Sequence, residues 1–134
     1  MLIDLDGFKS INDQFGHDAG DEMLRAVSQR LRDTIRASDT VARTGGDEFV
    51  VIAEGAVTRE AIRQLAEKIL ATLCKPVSWQ DHSLSVGSSI GIAVYPGDAD
   101  HPAQLVRMAD EAMYRVKDAG RNGIRFHSEL APLP

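Results

Sequence analysis

The chain has 134 residues, enough for one domain that buries roughly two-thirds of the surface exposed by its unfolded chain. With 43% hydrophobic and 26% charged residues it has the make-up of a folded, soluble domain, and its formal charge of −5 excludes a general binder of nucleic-acid polymers, which needs a basic surface. A single cysteine, Cys74, excludes an internal disulfide and fits a reducing, cytoplasmic setting, and no apolar run is long enough to form a membrane segment or a signal peptide.

Residues 1–6, MLIDLD, read as a strand whose Asp4 and Asp6 share one face by the two-residue period. A domain that begins inside a strand is unusual and suggests that residues once preceding Met1 are missing. Gly7-Phe8-Lys9 leads into a helical turn over Ser10 to Phe15 that Gly16 ends. A longer helix follows from Asp18 to Arg36, with Leu24, Val27, Leu31 and Ile35 at helical spacing.

The next stretch, residues 40–53, is a hairpin. Val41-Ala42 and Phe49-Val50-Val51-Ile52 flank Arg43-Thr44-Gly45-Gly46-Asp47-Glu48, and glycine supplies the positive φ of a tight turn. Thr58 can cap a third helix that buries Ile62, Leu65, Ala66, Ile69 and Leu73. Cys74 closes it as a small buried hydrophobe, and Pro76 stops it. A short strand at Val77–Trp79 turns at Gln80-Asp81-His82 into a long one, Leu84 to Tyr95. Leu84, Val86, Ser88, Ile90, Ile92 and Val94 share one face of it; Ser85, Gly87, Ser89, Gly91 and Ala93 share the other. A last helix runs from Pro102 to Ala119 with Leu105, Met108, Ala109, Ala112 and Val116 inward and Gly120 as its stop, before a final strand, Ile124–Phe126. The order β-α-α-β-β-α-β-β-α-β predicts an α/β sandwich: a mostly antiparallel central sheet flanked by helices. Residues 129–134, rich in proline, read as a disordered tail.

Alone, Asp47 and Glu48 read as ordinary acids of a solvated turn. If the first strand and the hairpin are sheet neighbours, however, Asp4 and Asp47 meet. Two carboxylates and a backbone carbonyl such as that of Leu5 suit Mg²⁺, which takes its remaining ligands from water and phosphates. Two such ions can activate a hydroxyl and stabilise an in-line phosphoryl displacement. The free amides opening the turn at Gly7-Phe8-Lys9 could hold phosphates, with Lys9, Lys117 and Arg121 as cations; the bland alternative for each is a solvated side chain at a helix end. No P-loop pattern is present, and the four histidines lack metal-ligand spacing.

Three segments carry a resemblance. Asp4-Leu5-Asp6-Gly7-Phe8-Lys9-Ser10-Ile11-Asn12-Asp13, continuing to Gly16-His17-Asp18-Ala19-Gly20-Asp21, then Gly45-Gly46-Asp47-Glu48-Phe49, then Ala109-Asp110-Glu111-Ala112-Met113-Tyr114 through Lys117 to Gly120-Arg121-Asn122, together resemble the GGDEF domain of diguanylate cyclases. The resemblance covers residues 1–128 as one domain. It implies the palm fold of nucleotidyl cyclases and polymerases, and condensation of two GTP into cyclic di-GMP with release of two pyrophosphates.

By position, the resemblance makes Asp4 and Asp47, with the Leu5 carbonyl, ligands of two Mg²⁺ (or Mn²⁺) ions per half-site. Glu48 becomes a metal ligand or the base for the 3′-hydroxyl, and Asn12 and Asp21 readers of guanine. A carboxylate can indeed accept from the two N–H groups of guanine's Watson–Crick edge. Phe8 and Lys9 would contribute amides to the phosphates, Lys117 and Arg121 side-chain clamps, and His17 local support. Arg36 and Asp39 match an RxxD product-inhibition site. Each protomer would hold one GTP, so a homodimer closes the ring. One departure stands out: family domains carry a further helix and an Asp-x-Leu-Thr-Gly-Leu-x-Asn-Arg motif before the first strand, and their lack here predicts an uncovered sheet face or edge. A binding module that senses GTP or cyclic di-GMP without catalysis is the alternative, and a structural fragment a weaker one.

Overall fold

A computed structural model describes residues 1–55 and 58–130. Its elements are β1 (Leu2–Asp6), α1 (Phe8–Phe15), α2 (His17–Thr34), β2 (Thr40–Arg43), β3 (Glu48–Ile52), α3 (Arg59–Leu73), β4 (Val77–Trp79), β5 (His82–Leu84), β6 (Gly87–Ile92), α4 (Pro102–Asp118) and β7 (Gly123–Phe126), followed by a 3₁₀ turn at His127–Glu129. Five strands form one sheet in the order β2-β3-β1-β6-β7. Every pairing is antiparallel except β6 with β7, and β4–β5 is a separate hairpin. This is the expected α/β sandwich, with β1 at its centre.

The pleat divides the sheet's residues between two environments. Ile3, Leu5, Phe49, Val51, Ile90 and Ile92 point into the main core with Met23, Val27 and Leu31 of α2 and Ala66, Ile69 and Leu73 of α3. Leu2, Asp4 and Asp6 alternate onto the opposite face, with Val50, Glu48, Ser89 and Gly91 beside them by register. That face carries α4, whose Ala109 and Met113 pack on Leu2. A Cβ at Gly91 would lie 2.0 Å from the Ala109 carbonyl and 2.4 Å from the Met113 nitrogen, so the helix backbone rests directly on β6. Gly91 therefore makes room for the helix, while Gly87 faces the Asn122 side chain and Ser89 bonds Asp6.

Among the described residues, α4 covers the β1, β6 and β7 side of that face. A groove of about 660 Å³ runs beside α4, lined among others by Leu2, Val50, Ile52, Tyr95, Leu105 and Val106, and Ile52, Tyr95 and Val106 are more than half exposed. No helix among the described residues is long and apolar enough to cross a membrane.

Four expectations need correction. The long strand Leu84–Tyr95 is two strands: β5 ends at Leu84, and β6 begins at Gly87. Leu84 and Val86 are both buried, so the alternation runs unbroken through the break and could not reveal it. Nor does β6 reach Tyr95, because Asp98 closes a turn on Val94: its carboxylate accepts from the Val94 amide (2.7 Å) and its own amide donates to the Val94 carbonyl (2.8 Å). Cys74 is exposed, since it follows Leu73 at the end of the 62-66-69-73 stripe and is rotated off it. Finally, Glu129 is not in a tail: it accepts from the Phe126 amide (2.9 Å) and pairs with Arg63 (2.6 Å); residues 131–134 lie outside the described residues.

Candidate active site

The carboxylates gather because β1 lies between β3 and β6. Asp4 faces Glu48 in the β1–β3 ladder, and the Leu5 amide donates to the Asp47 carbonyl (3.0 Å), which ties the hairpin tip to the end of β1. Residue N–H and C=O groups point to the same strand edge, so the Leu5 carbonyl also turns toward the tip. The tip is shaped by its own bonds. Thr44 and Gly45 amides donate to the Glu48 carbonyl (2.9 and 3.4 Å), and Arg43 Nε folds back onto the carbonyls of Gly45 (3.0 Å) and Gly46 (3.2 Å).

Beside this tip is a cavity of about 440 Å³ lined by Asp4, Leu5, Gly7, Phe8, Lys9, Ser10, Asp47, Lys117 and Arg121. Gly7, at φ 84°, turns the chain sharply from β1 into α1, and no side chain caps the helix. Its first-turn amides, at Phe8, Lys9 and Ser10, therefore face the cavity with their donors free of intrahelical partners. The opposite wall is the end of α4, where Lys117 pairs with Asp4. The chain then leaves α4 through a Schellman turn: the Gly120 amide donates to the Lys117 carbonyl (3.3 Å) and the Arg121 amide to that of Val116 (2.9 Å).

The electrostatics are those of a site short of positive charge. Burial pushes the Asp47 carboxyl above its ordinary range, and the Asp4 charge pushes it further; Lys117 only partly opposes this. Glu48 is likewise raised, by burial first, then by Asp4 and by Asp110 of α4. The described residues form no cage of three or more acidic, His or Cys side chains around one point. What they offer is the carboxylates of Asp4 and Asp47 and the Leu5 carbonyl beside a cavity bordered by free amides. That donor set fits Mg²⁺ or Mn²⁺, which is held by a few oxygens of the protein and completed by water and phosphate.

The remaining predicted residues lie outside this cavity. Asn12 sits one turn further along α1, against the first turn of α2: a Cβ at Gly20 would fall 1.8 Å from Asn12 Oδ1, so only glycine lets the amide rest there. Asp21 follows Gly20 and is exposed, as is His17. Arg36 and Asp39 occupy the α2–β2 connection, away from the cavity. The Asp39 side chain is fully buried and accepts from the amides of Arg36 (3.0 Å) and Glu54 (3.1 Å), whereas the Arg36 side chain is 60% exposed. Asp39 thus secures the connection to the end of β3, and Arg36 is the group that faces solvent. Sequence reasoning passed over Ser10, Asp110 and the partners of Asp6. Only the shared face of Asp4 and Asp6 signalled the last of these.

The profile of the family described as "Diguanylate cyclase, GGDEF domain" matches residues 1–123, so the chain belongs to the GGDEF family. It is 46% identical over 126 residues to MucR of Pseudomonas aeruginosa, described as a bifunctional diguanylate cyclase/cyclic di-GMP phosphodiesterase; the match covers 94% of this chain but only 18% of MucR. The isolated GGDEF domain of TpbB (YfiN) from P. aeruginosa superposes with a TM-score of 0.91 at 42% identity, over 94% of this chain and 74% of that one. The GGDEF domain of DgcB from Caulobacter crescentus, solved with c-di-GMP, has a TM-score of 0.83 at 25% identity, over 96% of this chain and 76% of that one. The chain thus spans a small part of its curated relative and most of the isolated domains.

Proposed function

We propose that this domain condenses two GTP into cyclic di-GMP with release of two pyrophosphates, as a homodimer in which each protomer holds one GTP. The observation that carries the reading is the convergence of Asp4, Leu5, Asp47, the α1 amides, Lys9, Lys117 and Arg121 on one cavity.

Asp4, Asp47 and the Leu5 carbonyl would hold Mg²⁺ or Mn²⁺, two ions per half-site. When bound, the ions supply Lewis-acid activation of the 3′-hydroxyl and neutralise charge at the reacting phosphate. The protein's own groups do the rest. The amides of Phe8 and Lys9 cradle the terminal phosphates at the positive end of α1. Lys117 leaves Asp4 for a phosphate once another cation takes its place, and Arg121 clamps the same end. Asn12 and Asp21 accept and donate along the guanine edge, and the Gly20 gap sets the position of Asn12. Glu48, raised in proton affinity by its surroundings, is suited to take the 3′-hydroxyl proton. Outside the cavity, Arg36 binds product through its exposed guanidinium, with Asp39 holding the backbone beneath it.

Incubation with GTP and Mg²⁺, with products separated by chromatography, tests this. Cyclic di-GMP made by the parent chain and lost in Asp47→Ala is the expected result. GTP or cyclic di-GMP binding with no turnover would replace the cyclase by a sensing module.

A further inference from the structure

Gly120, Arg121 and Asn122 are consecutive and all left-handed, at φ 114°, 67° and 49°. Two of the three pay the Cβ penalty of that region, so something outside the turn must hold them there. The group in reach is Asp6, the second acid of β1. One of its oxygens accepts from the Asn122 amide (2.8 Å), both accept from Ser89 Oγ (2.9 and 3.1 Å), and Arg121 Nη1 lies 3.7 Å away. Its side chain is only 10% exposed, whereas that of Arg121 is 59% exposed and borders the cavity. Ser89 is fully buried, and Asn122 Oδ1 accepts from the Ser88 amide (3.3 Å), so the turn is stitched to β6 as well as to β1.

Asp6 shares a strand face with Asp4, yet its two oxygens are committed to Ser89 and Asn122. It therefore serves the wall of the cavity and not its acidic floor. We propose that Asp6 is a positioning residue: it holds the Gly120–Asn122 turn in its left-handed form so that Arg121 presents its guanidinium to the phosphate end of a bound nucleoside triphosphate. The inference rests on the nucleotide reading of the cavity, and it adds a requirement that no carboxylate ligand of that cavity would impose: the effect of Asp6 must pass through Arg121.

Two measurements separate the inference from the reading beneath it. Without ligand, Asp6→Asn is expected to speed hydrogen exchange at the Asn122 and Ser88 amides while leaving the far-UV spectrum unchanged. With ligand, calorimetry using α,β-methylene GTP, which cannot release pyrophosphate, is expected to show about tenfold weaker binding in Asp6→Asn, as for loss of one charge-assisted contact. GMP binding is expected to be unchanged. In an Arg121→Ala background, Asp6→Asn should cause no further loss. Ser89→Ala, which removes only the hydroxyl donor, should weaken the triphosphate by about threefold and guards against a folding defect in Asp6→Asn. Unchanged triphosphate affinity in both variants, or a loss that persists in full without Arg121, would overturn the positioning role. A parent chain that binds no α,β-methylene GTP would overturn the nucleotide reading and this inference with it, whatever the exchange data show.

Discussion

Lys117, in the last turn of α4, forms an ion pair with Asp4 in the middle of β1, and so two residues 113 positions apart share the charge at the mouth of the cavity. Lys117 also lowers the proton affinity of Asp47 and Glu48, against the larger effects of burial and Asp4. In Lys117→Met those acids should hold their protons still more tightly, and the phosphate contact proposed for Lys117 should be lost. Cyclic di-GMP production is expected to fall about 100-fold, the scale seen when one preorganised charge donor is removed, with the fold intact by circular dichroism.

The raised carboxyls set a pH dependence. An acid that binds protons more readily folded than unfolded stabilises the fold below its unfolded value and loses that contribution as pH rises through its folded value. Asp47 and Glu48, with ordinary values of 3.8 and 4.5, should thus cost the protein stability as they ionise above that range. A divalent cation that binds the ionised site offsets the loss. Millimolar Mg²⁺ should raise the melting temperature more at about pH 7.5 than in acid, where protons compete for the same oxygens. In Asp47→Asn, the Mg²⁺ response at the higher pH should shrink; an undiminished response would place the ion elsewhere.

Gly91 is where α4 touches the sheet. Gly91→Ala would put a methyl into the Ala109 carbonyl and the Met113 nitrogen, neither of which can rotate away. Urea denaturation is expected to show a loss of about 1–3 kcal/mol, typical of overpacking. Because the same helix carries Lys117, activity should drop beyond what the unfolded fraction explains. A fully stable, fully active variant would contradict the packing described.

At Gly20 stability and function should part company. Alanine suits a helix better than glycine, by up to about 1 kcal/mol. Yet its Cβ would displace the Asn12 side chain. Gly20→Ala is therefore expected to melt no lower than the parent while its preference for GTP over ATP narrows, which competition binding with the two nucleotides can read.

Arg36 and Asp39 should also separate. Asp39→Ala strands two amides and should cost about 1–3 kcal/mol. Arg36→Ala removes a largely exposed side chain, its bond to the Glu54 carbonyl (3.0 Å) and its ion pair with Asp39 (3.6 Å), while Asp39 keeps both amide donors, so stability should fall by about 1 kcal/mol or less while cyclic di-GMP affinity falls. Equal product affinity in parent and Arg36→Ala would remove the product site from this surface.

Local chemistry in the chain was enough to place the helices and the hairpin, because apolar spacing, the Thr58 cap, which accepts from Ala61 (3.1 Å), and the Gly120 stop each act within a few residues. The carboxylates and cations of the cavity were legible in the same way, by residue type and motif spacing. Other features depended on contacts between distant segments. The break at Ser85–Val86 was hidden because the alternation of buried residues continues across it, and only strand pairing assigns β5 and β6 to different sheets. Gly91 became meaningful once α4 lay on it, and Asp6 acquired its partners from residues 83 and 116 positions away. Sequence period tells which side of a strand a residue takes; which helix, turn or counter-charge meets it there is settled only when chain closure brings β1 between β3 and β6.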